Sequence, residues 1–158
     1  MKSIKPKKWL IASMLLLLSL SAQAKTLVGN VVGILDGDTI EVLDDRQKSY
    51  RIRLNQIDAP EKRQPFGQKS KQYLSSLIYG KTVTIEWDKT DRYGRILGTI
   101  FYNKQNINIA MVRQGYAWAY AQYVIDNGYI VMQQQAQQRR LGLWMDKSPT
   151  PPWEWRHK

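Results

Sequence analysis

The stretch TLVGNVVGILDGDTIEVLDDRQKSYRIRLNQID, residues 26–58, decides the fold because it holds three strand patterns and two turns in unbroken order. Apolar and β-branched residues form the three patterns. The sequences between them, Asp36-Gly37-Asp38 and residues 44–47, are polar and typical of tight turns. In the third pattern, residues 50–55, apolar side chains alternate with arginine and asparagine. This alternation predicts a strand with one buried and one polar face.

Helices and two more strands are predicted beyond this segment. An apolar stripe that ends at Gly80 predicts the first helix, and strand patterns follow at 81–87 and 95–102. A short helix that ends before Gly115 and a last helix over 126–140 complete the pattern. Five short strands with interspersed helices predict a mainly β, α+β domain of the OB-like barrel type.

Two details of this pattern concern how helices begin and end. Either Asn106 or Asn108 can cap the short helix, since asparagine side chains accept hydrogen bonds from the first free N–H groups of a helix. The three prolines within Ser148–Pro152 predict that this segment is not helical.

The first 24 residues have the features of a secretory signal peptide. Four lysines precede an apolar run over residues 9–20, and Ser21-Ala22-Gln23-Ala24 has small residues where a signal peptidase reads them. The alternative is a transmembrane anchor, but the run is shorter than the roughly 20 residues that a membrane-spanning helix needs. We expect cleavage after Ala24, export to the periplasm or the medium, and no stable membrane insertion once the signal is removed.

The remaining chain is expected to form one domain over residues 25–145, followed by a Pro- and Trp-rich tail at 146–158. The whole chain carries a formal net charge of +11. The predicted signal contains four lysines and no acidic residue, so its removal leaves +7. A surplus of this size favours polyanions such as nucleic acid, acidic lipid or acidic polysaccharide, and charge alone does not choose among them.

The composition excludes several kinds of catalytic site. The chain has no cysteine, which rules out thiol catalysis and cysteine-bound zinc. Its one histidine is His157, next to the C-terminus, so a Ser-His-Asp triad or a histidine-rich metal site is not expected. If the protein is an enzyme, we expect its base to be a carboxylate and any metal to be bound by oxygen.

Three polar clusters supply such groups: residues 36–39 (DGDT), Arg53 with residues 58–61 (DAPE), and residues 91–95 (DRYGR). Each alone fits a plain structural role, as a hairpin turn, a helix start or a surface loop. Together they offer oxygen ligands for calcium or magnesium and guanidinium groups that match phosphate. Phosphodiester hydrolysis needs a positioned water, a base and positive charge around the transition state. The residues that could meet these needs are Asp38, Asp58, Glu61, Arg53 and Arg95.

In this order and spacing, the three clusters resemble the staphylococcal nuclease, or thermonuclease-like, family. Residues 111–115 (MVRQG) resemble the family's short second helix, and residues 141–144 (LGLW) resemble the end of its last helix. The tail sequence PPWEWR, residues 151–156, is similar to that of exported Gram-negative members. The resemblance implies a five-stranded OB barrel with three helices. It also implies calcium-dependent hydrolysis of DNA and RNA, with low sequence specificity and 3′-phosphate products.

The resemblance further implies a calcium site with one ion per domain. Asp38 and Asp58 match the family's carboxylate ligands. Ala59 matches the residue that supplies a main-chain carbonyl, where the type member has threonine, and a main-chain ligand makes this difference of little consequence. Asp36 matches a nearby acid that shapes the site without clearly binding the ion.

The remaining matches concern catalysis and the substrate. Glu61 matches the family's general base, or the residue that orients the attacking water. Arg53 and Arg95 match two arginines that grip the phosphate. Aromatic rings that stack on bases tolerate any sequence, which suits a non-specific nuclease. The residues expected to contact the nucleotide are Tyr93, Tyr120 and Tyr123.

Two other classes of function stay open. An OB-type barrel with a basic groove and aromatic rings can bind single-stranded nucleic acid without cutting it. Positive charge with exposed aromatic rings also fits a cell-surface or polysaccharide-binding protein. The presence of all five acidic and arginine positions favours the enzyme, which we expect to be a monomer that acts on DNA and RNA. The segment Trp153–Trp155 either packs back on the barrel or contacts a membrane or partner.

Overall fold

A computed structural model describes residues 23–158 of the chain. The predicted signal peptide, residues 1–24, lies almost entirely outside the described residues. The first strand, β1, begins at Lys25, directly after the predicted cleavage position.

A closed five-stranded barrel forms the body of the domain, which confirms the predicted α+β, OB-like fold. The strands follow the order β3-β2-β1-β5-β6, and a parallel pairing of β3 with β6 closes the ring. Two-residue strands complete the set, with β7 extending the sheet beyond β6 and β4 pairing with β8. The strands are β1 Lys25–Asp36, β2 Thr39–Leu43, β3 Ser49–Leu54, β4 Ile57–Asp58, β5 Thr82–Thr90, β6 Ile96–Tyr102, β7 Gln105–Asn106 and β8 Trp118–Ala119.

The length of β1 explains how the barrel closes. Its first half pairs with β5 and its second half with β2, so one strand serves both sides of the barrel. The register of β1 against β2 shifts between Val31 and Gly33 and again between Ile34 and Asp36. Such bulges bend a strand and increase its twist, which lets a long strand wrap around the barrel.

The three predicted helices are all present at the expected positions. They are α1 Gly67–Ile78, α2 Ile107–Arg113 and α3 Gly128–Gln138. Single turns follow, a 3₁₀ turn at Gly142–Met145 and a short helix α4 at Pro152–Trp155. The expectation that Ser148–Pro152 contains no helix was therefore wrong at its last residue, because proline is tolerated in the first turn of a helix. Across residues 23–158, no helix is long and apolar enough to cross a membrane.

The barrel interior is aliphatic, as the alternation in the third strand predicts. Ile52 and Leu54 of β3 are fully buried, whereas Arg51 between the strand's apolar residues faces solvent. α1 closes the core with Leu74 and Ile78, which are also fully buried. Burying side chains of this size stabilises the fold by about 1.5–3 kcal/mol each.

Asn108 is a fully buried polar residue that ties α2 to the barrel. Its Nδ2 donates to the carbonyls of Asn55 and Gly98, and its Oδ1 accepts from the Ile100 N–H. The residue that caps α2 is Asn106, whose side chain accepts from the Ile109 N–H at 3.0 Å. The two asparagines that the sequence left as alternatives therefore have different roles.

Two glycines allow the chain after α2 to meet the chain after α3. Gly115 has a φ of +75°, and a Cβ placed there would lie 2.2 Å from the carbonyl oxygen of Leu141. Gly142 is similarly close to the carbonyl of Gly115, which accepts a hydrogen bond from the Leu143 N–H at 2.8 Å. This contact fixes the start of the C-terminal tail, residues 146–158, relative to the barrel.

Replacing Gly115 by alanine should destabilise the domain more than the same change at Gly80. Gly80 has a similar φ of +71° but has open space where a Cβ would lie. Gly80→Ala should cost about 1–2 kcal/mol for the left-handed backbone alone. Gly115→Ala should cost a further 1–3 kcal/mol or so for the overpacked methyl. Urea unfolding of both variants measures the difference, and equal losses would contradict the close contact.

Candidate active site

The turn between β1 and β2 carries the first carboxylates of the site. The register pairs Asp36 with Thr39, which leaves Gly37 and Asp38 at the tip. Asp36 accepts from the Asp38 N–H at 3.0 Å, which stiffens the turn. A Cβ on Gly37 would lie 1.9 Å from the Oγ of Ser70, so only glycine lets the turn approach α1 this closely.

Arg53, near the end of β3, joins this turn to the next segment. Thr39 pairs with Arg53 across β2 and β3, so Asp38 lies beside the guanidinium. One nitrogen of Arg53, Nη2, lies 3.2 Å from Asp38 Oδ2 and 3.1 Å from Asp58 Oδ1. Nη1 donates to the Ile57 carbonyl at 2.9 Å. The arginine therefore holds together two carboxylates, one from the β1–β2 turn and one from β4.

Two carboxylates of this group, on Asp36 and Asp58, have raised pKa values because little water reaches them. Asp58 is 1% exposed, and its burial raises its pKa, an effect that a hydrogen bond from Arg156 opposes. Burial and the neighbouring Asp38 charge raise the pKa of Asp36 to about 7. Asp38 also accepts from the Ala59 N–H at 2.7 Å. The end of the barrel thus concentrates negative charge where water solvates it poorly.

Glu61 lies on the loop between β4 and α1, which folds tightly on itself. Its N–H donates to Oε1 of Gln64 at 3.0 Å, and its carbonyl accepts from the Gln64 N–H at 2.9 Å. A Cβ on Gly67 would lie 2.0 Å from that same carbonyl oxygen. The first residue of α1 must therefore be glycine for the loop to present Glu61 beside Asp58.

The C-terminal tail supplies a second guanidinium to the site. Nη1 of Arg156 donates to Glu61 Oε1 at 2.8 Å, and Nη2 donates to Asp58 Oδ2 at 2.8 Å. The hydrogen bond to Asp58 raises the pKa of Arg156 further above its ordinary value. The tail therefore packs on the barrel and reaches the acidic group.

Arg95 and Tyr93 lie together in the loop that joins β5 and β6. Nε of Arg95 donates to Asp91 Oδ2 at 2.8 Å, and Asp91 also accepts from the Tyr93 N–H. The Tyr93 ring is 68% exposed and lies 5.5 Å from the Arg95 guanidinium carbon. Among residues 23–158, no hydrogen bond or ion pair joins Arg95 to the acidic group at Asp38 and Asp58.

Tyr120 and Tyr123 lie in a cluster of rings beside β8. The two rings meet edge to face with centroids 4.7 Å apart. Trp153 of the tail lies flat against Tyr120, with centroids 5.3 Å apart and an angle of 3° between the planes. Tyr123 is 56% exposed, whereas one face of Tyr120 is covered by Trp153.

A family model described as staphylococcal nuclease homologue matches residues 51–146, well over half of the chain. The chain belongs to the staphylococcal nuclease family. This result confirms the family that the three polar clusters resemble.

Relatives of similar length support the same assignment. A protein named uncharacterized endonuclease from Escherichia coli is 53% identical over 131 residues, which are 82% of this chain and 85% of the relative. A protein of the same name from Haemophilus influenzae is 47% identical over 155 residues, covering 96% and 86% of the two chains. A micrococcal nuclease from Shigella flexneri is 42% identical over 156 residues, covering 92% and 88%.

The nuclease domain brings most of the predicted site residues into one group. A continuous set of contacts links them, from the β1–β2 turn through Arg53 to the loop before α1. Arg95 comes directly before β6, the strand that pairs with β3, but it is paired with Asp91, and the three tyrosines lie outside the acidic group. The linked residues are Asp36, Asp38, Arg53, Asp58, Ala59 and Glu61.

Several residues that shape the site were missed by the sequence reasoning. Gln64 and Gly67 fold the loop that carries Glu61, and Arg156 contacts Glu61 from the far end of the chain. The resemblance of the tail sequence PPWEWR to exported family members drew attention to the segment that contains Arg156. No local pattern indicates that Arg156 contacts Asp58 and Glu61. The packing of α1 against the loop gave no signal at all.

The acidic group fits a hard divalent cation by its chemistry. Asp38 and Asp58 each place a carboxylate oxygen near the same Arg53 nitrogen, so both face a common volume. Within residues 23–158, no three or more His, Cys, Asp or Glu residues form a metal-binding group. A calcium ion here would therefore depend on two carboxylates with main-chain oxygen and water, ligands that calcium accepts.

Asp36→Asn should remove a pH-dependent loss of stability. In the unfolded chain Asp36 ionises near its ordinary pKa of 3.8, but in the folded protein it ionises near 7. Its contribution to stability is thus fully present below about pH 4 and is lost as the pH rises toward 7. Relative to the variant, the wild type should lose more than about 1.4 kcal/mol over this range, the equivalent of one pKa unit.

Urea unfolding in the presence of a chelator, at pH values from about 4 to 7.5, measures this difference. Asp45→Asn, at an exposed position in the next turn, is the matched control and should show no such trend relative to the wild type. A parallel pH dependence in wild type and Asp36→Asn would contradict the buried environment of Asp36.

Proposed function

We propose that this protein is a calcium-dependent nuclease that hydrolyses phosphodiester bonds in DNA and RNA with low sequence specificity and leaves 3′-phosphate ends. The observation that carries the proposal is the meeting of Asp38, Asp58 and Arg53 at one end of the barrel, with Glu61 beside them, in a chain of this family. Family membership supports hydrolysis of nucleic acid, and relatives named endonuclease support cleavage within the strand.

The cofactor we propose is one calcium ion held by Asp38, Asp58 and the main-chain carbonyl of Ala59. Bound calcium would supply positive charge that neutralises the two buried carboxylates and attracts the phosphate. Burial raises the pKa of Asp58, which indicates that its negative charge is poorly solvated in the metal-free protein. A cation bound between Asp38 and Asp58 would offset their poor solvation by direct attraction to both carboxylates.

In the proposed mechanism, Glu61 accepts a proton from the water that attacks phosphorus. Its carboxylate is 37% exposed, so water and substrate can reach it. Arg53 orients the phosphate and shares the negative charge that grows on its oxygens. The bond between phosphorus and the 5′-oxygen breaks, so the phosphate stays on the 3′-oxygen.

Arg95 is proposed as the second phosphate-binding guanidinium. It has only one carboxylate partner in the described residues, Asp91, and directly precedes β6, the strand that pairs with the strand carrying Arg53. Because the fork of an arginine has five donors, Arg95 can keep Asp91 and still present N–H groups to a phosphate. Tyr93, exposed above it, is in place to contact the nucleotide.

Low sequence specificity follows from the kind of contacts available. The basic charge of the domain attracts the phosphate backbone of any nucleic acid. Exposed rings at Tyr93 and Tyr123 can stack on any base. We also propose export of the enzyme to the periplasm or medium, which the basic and apolar pattern of residues 1–24 supports.

The proposed function is tested with purified protein, plasmid DNA and a single-stranded RNA, each with calcium or with excess chelator. We expect cleavage of both substrates only with calcium, and Glu61→Gln should lower kcat by at least about 10²-fold, the lower range for loss of a general base. Calorimetric calcium binding should be nearly unchanged in this variant. Binding without cleavage in calcium would show a non-catalytic nucleic-acid-binding protein instead.

Arg95→Lys should not preserve activity, because an ammonium group cannot reproduce the two parallel hydrogen bonds of a guanidinium. Loss of such a donor typically costs about 10²–10³ in kcat. Arg92→Lys, at an exposed position in the same loop, is the control and should stay within a few-fold of the wild type. Steady-state kinetics decide, and near wild-type turnover in Arg95→Lys would remove Arg95 from the mechanism.

A further inference from the structure

We propose that Arg156, in the C-terminal tail, is a positioning residue of the active site that holds Glu61 beside Asp58 for catalysis. The inference rests on the proposed function, since it assigns a role relative to the proposed base. It makes residues 146–158 a part of the catalytic machinery and not an appendage to the barrel.

The geometry of Arg156 is that of a bridge. Its Nη1 lies 2.8 Å from Glu61 Oε1 and 3.2 Å from Asp58 Oδ1, and its Nη2 lies 2.8 Å from Asp58 Oδ2. Both oxygens of the buried Asp58 are thus fixed, and the exposed Glu61 is tied to them. Charge-assisted hydrogen bonds of this kind are shorter and stronger than neutral ones, and the planar fork gives them a defined direction.

Glu61 depends on this bridge for its orientation. Its main chain is held by Gln64, but its carboxylate has no other hydrogen-bond partner among residues 23–158. A partly exposed glutamate that lacks a partner samples several rotamers, and fixing it costs up to about 2 kcal/mol of entropy. Arg156 supplies the partner that selects one orientation before substrate arrives.

The tail is anchored to the same loop that carries Glu61. The Gln64 side chain accepts from the Glu61 N–H and donates to the Thr150 carbonyl at 2.6 Å, so one residue joins loop and tail. Pro152 is buried. Trp153 packs flat on Tyr120 and edge-on against Trp118, with centroids 5.5 Å apart in the second pair. These contacts fix the tail in place, which favours a permanent role over a strap that lifts during turnover.

The charges of the site support the same role. Two guanidinium groups, on Arg53 and Arg156, face the acidic side chains at this end of the barrel. The three carboxylates that these guanidiniums contact, on Asp38, Asp58 and Glu61, leave one formal negative charge. Without Arg156 the excess would be two, so Arg156 offsets the repulsion between Glu61 and the two aspartates.

The competing reading is an inhibitory tail. Arg156 contacts Asp58, a proposed calcium ligand, so the guanidinium could instead occupy the place of the ion and have to leave before calcium binds. The two roles predict opposite effects of removing Arg156 on activity. Removal of a positioning residue lowers kcat, whereas removal of an inhibitory one raises activity and tightens calcium binding.

Arg156→Ala and Arg156→Lys in the full-length mature protein test the proposal. Arg139→Ala, at an exposed arginine directly after α3, is the control for loss of one positive charge. We expect Arg156→Ala to lower kcat by about 10–100-fold, the usual effect of losing a residue that orients a group in direct contact with the reacting atoms. KM should change by less than about threefold, as for a residue that acts on the chemical step. Added methylguanidinium should restore part of kcat, and Arg156→Lys should not, because lysine cannot span both carboxylates.

Thermal unfolding and calorimetric calcium binding of the same variants complete the test. A higher kcat and tighter calcium binding in Arg156→Ala would overturn the proposal in favour of an inhibitory tail. Unchanged kcat and KM would show that Arg156 has no role in catalysis. A fall in kcat that parallels a loss of thermal stability, without rescue by methylguanidinium, would make its role structural. A wild type that cleaves neither DNA nor RNA would overturn the proposed function itself, which distinguishes that failure from failure of this inference.

Discussion

The burial of Asp38 and Asp58 at one end of the barrel is the constraint on which the site depends. Both side chains are almost inaccessible to water, so each needs a charged or hydrogen-bonding partner within the protein. Arg53 meets that need for both with a single nitrogen, and the Ala59 N–H adds a further hydrogen bond to Asp38. Removing Arg53 would leave Asp38 without an ion-pair partner among residues 23–158, and an uncompensated buried charge is among the more costly changes a protein can undergo.

The barrel topology explains why these groups meet. Register between β2 and β3 sets Arg53 opposite Thr39, beside Asp38, and the turn after β3 returns the chain so that Asp58 reaches the same guanidinium. Strand β4 then pairs with β8, which brings the aromatic segment alongside. Pairing between strands thus brings the acidic side chains and Arg53 together. Gly37 and Gly67 make close approaches that only glycine permits, and these let α1 pack against this end of the barrel.

Electrostatic balance links this arrangement to the proposed reaction. In the proposed reaction, a divalent cation would balance the buried negative charge, and the arginines at the edge of the acidic group would bind the phosphate that this cation attracts. Ion pairs also hold the tail on the barrel, since Arg156 pairs with Asp58 and Glu61. Stacking of Trp153 on Tyr120 adds an apolar contact. The acidic group therefore combines side chains from the β1–β2 turn with Arg156 from the C-terminal tail.

The sequence by itself determined the barrel strands, the three polar clusters and the exclusion of cysteine or histidine chemistry, because alternation, turn residues and composition are local properties. It also placed Asp38, Arg53, Asp58 and Glu61 in one group through their match to a family. Only the tertiary structure decided that Arg156 joins Glu61 from 95 residues away. The physical reason is that such a contact depends on how the tail packs against the loop before α1 and against β8, and no local pattern encodes that packing.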